Sequence, residues 1–330
     1  MNSSSSHSLS RYIVSRIIQA VPLIFGVIIF NFILIRLAPG GPAYALAGSE
    51  RLLTTEFVER INREFGLDRP LYEQLFLYIS NVLRGELGIS YYFREPVLPI
   101  ILERIPATAL LMGAQFAISL LVGIALAILV SRKRRSVMDK ASTVLSLMAY
   151  STPTFWLGFI LILFFSIQMK LLPSSGITTA GADFTGIAWI IDVLRHMLLP
   201  SLALGLTGIA IYFGLTRAGL RESLSQDYIT TARAKGLDEG RILTHHALRN
   251  SLLPVVSVAG MNIGVLISGA VLVETVFSWP GVGKLLYDAF LARDLPMIIG
   301  VFIVVSIAVI IANLLTDIIY AVIDPRIRYR

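Results

Sequence analysis

Six long apolar runs limit what this chain can become. A helix needs about 20 apolar residues to cross roughly 30 Å of hydrocarbon. Six segments qualify: approximately Ile13 to Ile35, Ala107 to Val130, Ala141 to Met169, Met197 to Leu215, Leu252 to Val273 and Met297 to Ile323. Composition agrees, with 55% hydrophobic residues, 15% charged residues and a mean hydropathy of +0.76 over 330 residues, far from the balance of a soluble domain. The expected fold is an all-α membrane protein of six transmembrane helices. The first run resembles a secretory leader at its polar, arginine-bearing start. Ile17 to Ile35 is uncharged for 19 residues, however, beyond the usual 7–15 of such an apolar core, so it is expected to stay as a span. Pro153, in "STPTFW" within the third run, is expected to kink or split that helix.

Basic residues then orient the runs, because short cytoplasmic loops collect Lys and Arg. The loop after the second run holds Arg132, Lys133, Arg134, Arg135 and Lys140, and the loop after the fourth holds Arg217, Arg221, Arg233, Lys235, Arg241 and Arg249. Arg326, Arg328 and Arg330 follow the sixth, whereas the remaining short loops carry Lys170 and Arg195, or Lys284 and Arg293. Both termini are therefore expected in the cytoplasm. The net charge of +7 sorts by membrane side and needs no nucleic acid partner.

Three divisions follow: residues 1–35 as a tail and first span, 36–106 as an external helical segment, and 107–330 as a five-helix core with a cytoplasmic loop at 217–251. In the external segment, "TTEFVERINREFGLD" repeats Phe57, Ile61 and Phe65 at helical spacing, with Gly66 to close the helix. "PLYEQLFLYISNVLRGELG" places Pro70 near a second helix start and Gly85 at its end. An amphipathic cap on the outer surface and a platform for a soluble partner both fit this pattern.

Catalytic and cofactor chemistry finds no foothold. "GVGKLL" departs from the phosphate-loop pattern, with Ser278 where its first Gly belongs and Leu285 where a Mg²⁺-binding hydroxyl belongs. His245 and His246 are adjacent rather than four apart, so they do not form a helical metal pair. Cysteine is absent, which excludes thiolate ligands and a cysteine nucleophile. Asp317 is the clearest charge within a span, and a structural pairing near the membrane edge is favoured over a proton relay. Catalytic, cofactor and metal residues are accordingly expected to be none. Small residues do recur at helical spacing, at Gly260, Gly264 and Ser268 and at Ala210, Gly214 and Ala218. Packing within the bundle is their default role, and a dimer seam or pore wall the alternatives.

One polar stretch between the fourth and fifth runs is longer than a connector needs. "DYITTARAKG" reads as a short helix in which Ala232 and Gly236, four apart, could admit a close partner surface, with Gly236 ending the helix. "LDEGRILTHHALRN" reads as a second helix, and Pro254 as the opening of the fifth span. A basic helix lying on anionic lipid is the plainer alternative.

"YITTARAKGL" followed by "HALRNSLLP" resembles the coupling-loop signature of ABC importer permeases, in the dipeptide/oligopeptide/nickel form. Thr230, Thr231 and Ala232 stand for its E-A-A, Gly236 for its glycine, and Leu253-Pro254 falls five positions late. "FILIRLAPGGP", "FGLDRPLYEQ", "GELGIS", "ERIPATALL", "STPTFWLG", "ETVFSWPGVG" and "DPRIR" are similar to the same class, with Gly41 where an Asp is common. The resemblance spans about residues 11 to 330.

It implies a type I ABC importer fold in a multi-pass protein of the bacterial inner membrane. It implies partners: a related second permease rather than a second copy, two ATPase subunits holding ATP and Mg²⁺, and an external solute-binding protein. It also implies that Asp227, Tyr228, Thr231, Ala232, Arg233, Ala234, Lys235 and Gly236 form the ATPase-coupling interface, with Gly236 as hinge and cap and Arg233 and Lys235 as polar anchors. Peptides are the expected cargo, with nickel or glutathione-like solutes the alternatives. A secondary transporter or channel, or a membrane enzyme, would be expected to carry polar groups within the spans, which these runs scarcely do.

Overall fold

The computed structural model describes residues 3–37, 67–131, 137–266 and 271–323. Among them, helices are numbered here α1 (Ser3–Leu37), α2 (Leu71–Arg84), α3 (Val97–Ser131), α4 (Val137–Ser151), α5 (Thr154–Leu161), α6 (Gly186–Ser223), α7 (Asp227–Ala234), α8 (Glu239–Arg241), α9 (Leu248–Leu266), α10 (Val271–Val276), α11 (Val282–Leu291) and α12 (Leu295–Ile323). Two π-helical stretches, Ile162–Gln168 and Ile242–Ala247, continue α5 and join α8 to α9. The expected outer helix over 54–66 lies outside the described residues.

Four helices are long and apolar enough to cross a membrane: Ile13–Leu37, Val97–Ser131, Gly186–Ser223 and Leu295–Ile318. A fifth span exists if Val144–Ser151 and Thr154–Gln168 count as one, bent by 105°. Pro153 stands at that bend as the residue preceding α5, where its missing N–H and fixed φ interrupt the ladder. Of the expected Leu252 to Val273 span, α9 covers the part to Leu266, and residues 267–270 lie outside the described ones. Among the described residues the chain is all-α, with four or five helical segments long and apolar enough to cross a membrane.

Two span starts need correction. α3 begins at Val97 rather than Ala107 and runs through Pro106, and α6 begins at Gly186 rather than Met197 and runs through Pro200. Arg195, expected in a loop, lies inside α6, with Asp192 and His196 beside it. Asp192 and His196 are buried with partners: Asp192 accepts from the Thr179 N–H and hydroxyl in the preceding loop, both at 2.7 Å, and His196 Nδ1 lies 2.9 Å from the Asp192 carbonyl one helical turn back. Once paired, polar groups no longer oppose helix at that depth.

The chain forms two compact units. In the unit of residues 1–108, 267–271 and 280–330, α1 lies along α12, and α2 packs on α1. Ile28, Ile35, Val82, Ile299 and Ile303 form one buried cluster, and Val97, Ile101, Leu285, Met297 and Val301 belong to another. Arg16 Nε reaches Asp317 Oδ2 at 3.3 Å, giving Asp317 the structural pairing expected of it. The end of α2 is set locally: Gly85 takes φ +81°, its N–H bonds the Val82 carbonyl at 3.0 Å, and Glu86 N–H bonds Asn81 at 2.9 Å. This double closure needs a left-handed residue. Asp294, buried, then fastens the following loop. It accepts from the Ser90 hydroxyl, from Tyr92 N–H at 3.3 Å and from Met297 N–H at 3.3 Å, so it also caps α12.

In the unit of residues 109–266 and 272–279, α6 is central and is packed by α4, α5 and α9. Glycines permit the close crossings. A Cβ on Gly123 would stand 2.8 Å from Tyr212 Cβ, one on Gly219 would stand 2.9 Å from Ser251 Cβ, and one on Gly208 would collide with Ser119. The expected stripe does not do this work. Gly214 has nothing within 4 Å of its Cβ position and Ala218 is exposed, because α6 turns the glycines at 205, 208 and 219 inward instead. The side chains of Gly260, Gly264 and Ser268 lie outside the described residues.

Candidate functional site

The polar stretch after α6 folds as expected into a short helix, α7, with the acidic Asp227 in its first turn and Arg233 in its last, the arrangement the helix dipole favours. Gly236 adopts φ +76°; its N–H bonds the Arg233 carbonyl at 2.9 Å, and Leu237 N–H bonds Ala232 at 3.3 Å. This is the same double closure that ends α2, completed by Leu237 and Ala232 sharing one apolar cluster. A Cβ on Gly236 would meet nothing within 4 Å. Backbone conformation, not crowding, is what calls for glycine.

An eight-residue helix is marginal alone, so packing must hold α7 in place. Ile229, fully buried, and Ala232 insert among Leu220 at the end of α6 and Ile242, Leu243 and Ala247 in the return toward α9. The expectation that Ala232 makes room for a partner is thereby corrected. Its face is occupied by the chain's own side chains, since Ile229 and Ala232, three apart, form the one apolar strip the helix possesses. Pro254 is likewise corrected: the run from Glu239 through Leu266 is helical throughout, and Pro254 lies inside it. Its start is set by Asp238, whose carboxylate accepts from Gly240 N–H at 2.8 Å and from Arg241 N–H at 3.4 Å.

Two polar ties complete the fixation. The Tyr228 hydroxyl pairs with the Ser223 hydroxyl and accepts from Asn250 Nδ2 at 3.0 Å, so it bridges the ends of α6 and α9. Arg233 grips Glu239 with two donors, Nε to Oε1 at 2.6 Å and Nη2 to Oε2 at 3.3 Å. That pairing holds the Glu239 carboxyl below its ordinary range and raises the Arg233 guanidinium. Arg233 thus anchors its own turn before it can anchor anything else. Glu239, Ser223, Asn250 and Ile229 were missed from the sequence. An acid three residues past the closing glycine was the available signal for Glu239.

Of the eight expected interface residues, Asp227, Tyr228, Thr231, Arg233, Ala234, Lys235 and Gly236 are exposed. The Thr231 hydroxyl is directed back to the Asp227 carbonyl at 3.1 Å. The outward side of α7 is a mixed polar strip on a backbone fixed from behind.

The two motifs compared with phosphate and metal patterns make local contacts. Gly281 precedes α11, Val282 N–H donates to Thr108 Oγ1 at 2.8 Å, and Lys284 pairs with Asp288 at 2.6 Å. His245 is exposed, its Nδ1 3.0 Å from Thr244 Oγ1.

Comparison with known proteins bears on the whole chain. Residues 119–329 match the family model "binding-protein-dependent transport system inner membrane component", and residues 9–112 match the model of that family's N-terminal region. A putative peptide permease protein of Brucella suis is 39% identical over 96% of this chain and 99% of its own length. The dipeptide transport system permease protein of Escherichia coli K12 is 38% identical over 97% and 99%. An oligopeptide transport system permease protein of Bacillus subtilis is 34% identical over 97% and 100%. With two family models accounting for nearly its full length, and relatives 34–39% identical along nearly all of it, the chain belongs to the binding-protein-dependent transport system inner membrane components and is a permease subunit of an ABC importer.

Proposed function

We propose that this subunit forms half of the translocation pathway for peptides delivered by an external binding protein, and that α7 is its contact with a separate ATPase. The observation that carries the proposal is the construction of α7. Its apolar strip is spent on the ends of two long helices, and its polar strip is presented outward. A force applied to that strip is transmitted to α6 and α9 together, because Ile229, Ala232 and Tyr228 tie α7 to both. Coupling also requires that ATP favour one state of the bundle over the other, so a contact that yields under load would lose the signal.

In this scheme six spans place both termini in the cytoplasm, as the Lys and Arg distribution supports. A related second permease completes the pathway, and ATP and Mg²⁺ reside on two partner ATPase subunits. The names of the relatives support peptides as cargo. The test is Gly236→Asp in the assembled transporter. Membrane insertion is expected to persist, while peptide uptake no longer follows ATP hydrolysis. Normal uptake with an intact ATPase would refute the assignment.

A further inference from the structure

Among the described residues, α2 carries more apolar surface than the chain packs against. At about 100° per residue, Gln74, Tyr78 and Val82 share one side of this helix, whereas Tyr72, Phe76 and Leu83 fall within about 40° of one another on a different strip. The first side packs toward α1 and α12: Val82, Tyr78 and Ile79 join the cluster of Ile28, Ile35, Ile299 and Ile303. The second strip is 73, 72 and 63% exposed at Tyr72, Phe76 and Leu83. Ile79 falls between the two, so the apolar arc is continuous and about half of it is left open. Glu73, Ser80 and Arg84 occupy a separate polar strip. A helix that only capped a soluble surface would turn that polar strip, not two aromatic rings, away from the protein.

Depth identifies what covers the open arc. The Tyr78 ring lies 5.6 Å from the Phe32 ring. Phe32 stands about 7.5 Å short of the end of the span that closes at Leu37, at 1.5 Å per residue. α1 exposes Phe30, Ile33, Leu34 and Leu37 at the same level, a surface that in a membrane protein faces lipid. We propose that α2 lies in the membrane plane, in the leaflet into which α1 emerges, with Tyr72, Phe76 and Leu83 seated at the headgroup–acyl boundary of phospholipid. Aromatic rings favour that boundary, and a helix with a wide apolar arc and a narrow polar strip lies along it. The inference rests on the chain spanning the bilayer, not on its cargo or its coupling to ATP.

The chain has no cysteine, so one introduced cysteine directs a nitroxide to one position. Phe76→Cys, Leu83→Cys, Ser80→Cys and Arg84→Cys would each be labelled in the full permease–ATPase complex, in vesicles of phosphatidylethanolamine and phosphatidylglycerol without binding protein. Collisions with oxygen and with a water-soluble nickel complex are then compared. Positions 76 and 83 are expected to lose nickel collisions relative to 80 and 84 while keeping oxygen collisions. Equal nickel access at all four overturns the proposal. So does nickel access at 76 and 83 that disappears only when the external binding protein is added, which would assign the strip to that protein. If Phe76→Cys does not assemble, Tyr72→Cys carries the same readout. An Ile33→Cys label on α1 separates the two levels of the claim. Nickel access there would refute the membrane placement of the span itself, and the placement of α2 with it.

Discussion

Removing the Ile229 side chain should disconnect α7 from the bundle without unfolding the bundle. Ile229→Ala deletes three carbons from a fully buried position, about 2.4 kcal/mol at ~0.8 kcal/mol per methylene. The void left among Leu220, Ile242, Leu243 and Ala247 brings the total into the range of about 2–5 kcal/mol seen for such truncations. Ala232 is too small to hold the helix by itself, and an isolated eight-residue helix does not persist. At 1.4 kcal/mol per tenfold, the transfer loss of about 2.4 kcal/mol by itself raises the open population of α7 about fiftyfold. The assay is paired: ATP hydrolysis and peptide uptake by the reconstituted complex, with trypsin cleavage after Arg233 and Lys235 as the report on local opening. Hydrolysis should continue, uptake should fall, and cleavage should accelerate. Ile229→Val, expected to cost about 0.5–1.5 kcal/mol, should fall between. If Ile229→Ala kept wild-type uptake while trypsin cut faster, α7 would be a fixed ornament rather than a lever. If neither changed, its packing role would be refuted.

Other outcomes follow from the same geometry. Gly236→Ala forces a Cβ residue to φ +76° in open space, so it should cost about 1 kcal/mol from backbone alone, with Gly236→Asn costing less; trypsin cleavage at Arg233 ranks the three. Gly219→Leu would drive its side chain into Ser251 and should destabilise the α6–α9 crossing by about 1–3 kcal/mol, read as a lower thermal midpoint in detergent. Asp294→Ala removes the acceptor of three donors and should cost about 1–3 kcal/mol, with faster hydrogen exchange at Tyr92 and Met297. The Arg233–Glu239 tie depends on pH in one direction. Because Glu239 titrates below its ordinary value of 4.5, the tie contributes fully above that value and is lost as pH falls through the lowered one. Trypsin-independent proteolysis of the 233–239 turn should therefore be flat from pH 6 to 8 and rise only on stronger acidification, and Glu239→Gln should abolish that dependence.

Much of the fold was legible because it is set by local or one-dimensional physics. Uninterrupted apolar length announces a span, whatever it packs against. Closure at Gly85 and at Gly236 requires a left-handed residue within a few positions of the helix end, so glycine in the right register was sufficient to place both. Pro153 breaks its helix through its own ring and missing N–H. Family membership was legible for a similar reason, since the motifs in "YITTARAKGL" and "ETVFSWPGVG" are contiguous.

The rest depended on pairings between distant positions. Whether Asp192 ends a span or lies inside one was decided by Thr179 reaching back to it. Whether Ala232 faces a partner or the protein was decided by the rotation of α7 about its axis, which Ile229 sets by entering a pocket built from α6 and the return helix. Stripes of small residues read the same on either face of α6, and only the packed neighbours distinguish Gly208 and Gly219, pressed against Ser119 and Ser251, from Gly214, which touches nothing. The sequence alone determined that the long apolar segments are helical and that Gly85, Gly236 and Pro153 close or break a helix, because those choices are governed by each segment's own solvent and backbone. The tertiary structure decided which side of each helix is inside, because that depends on partners far away along the chain.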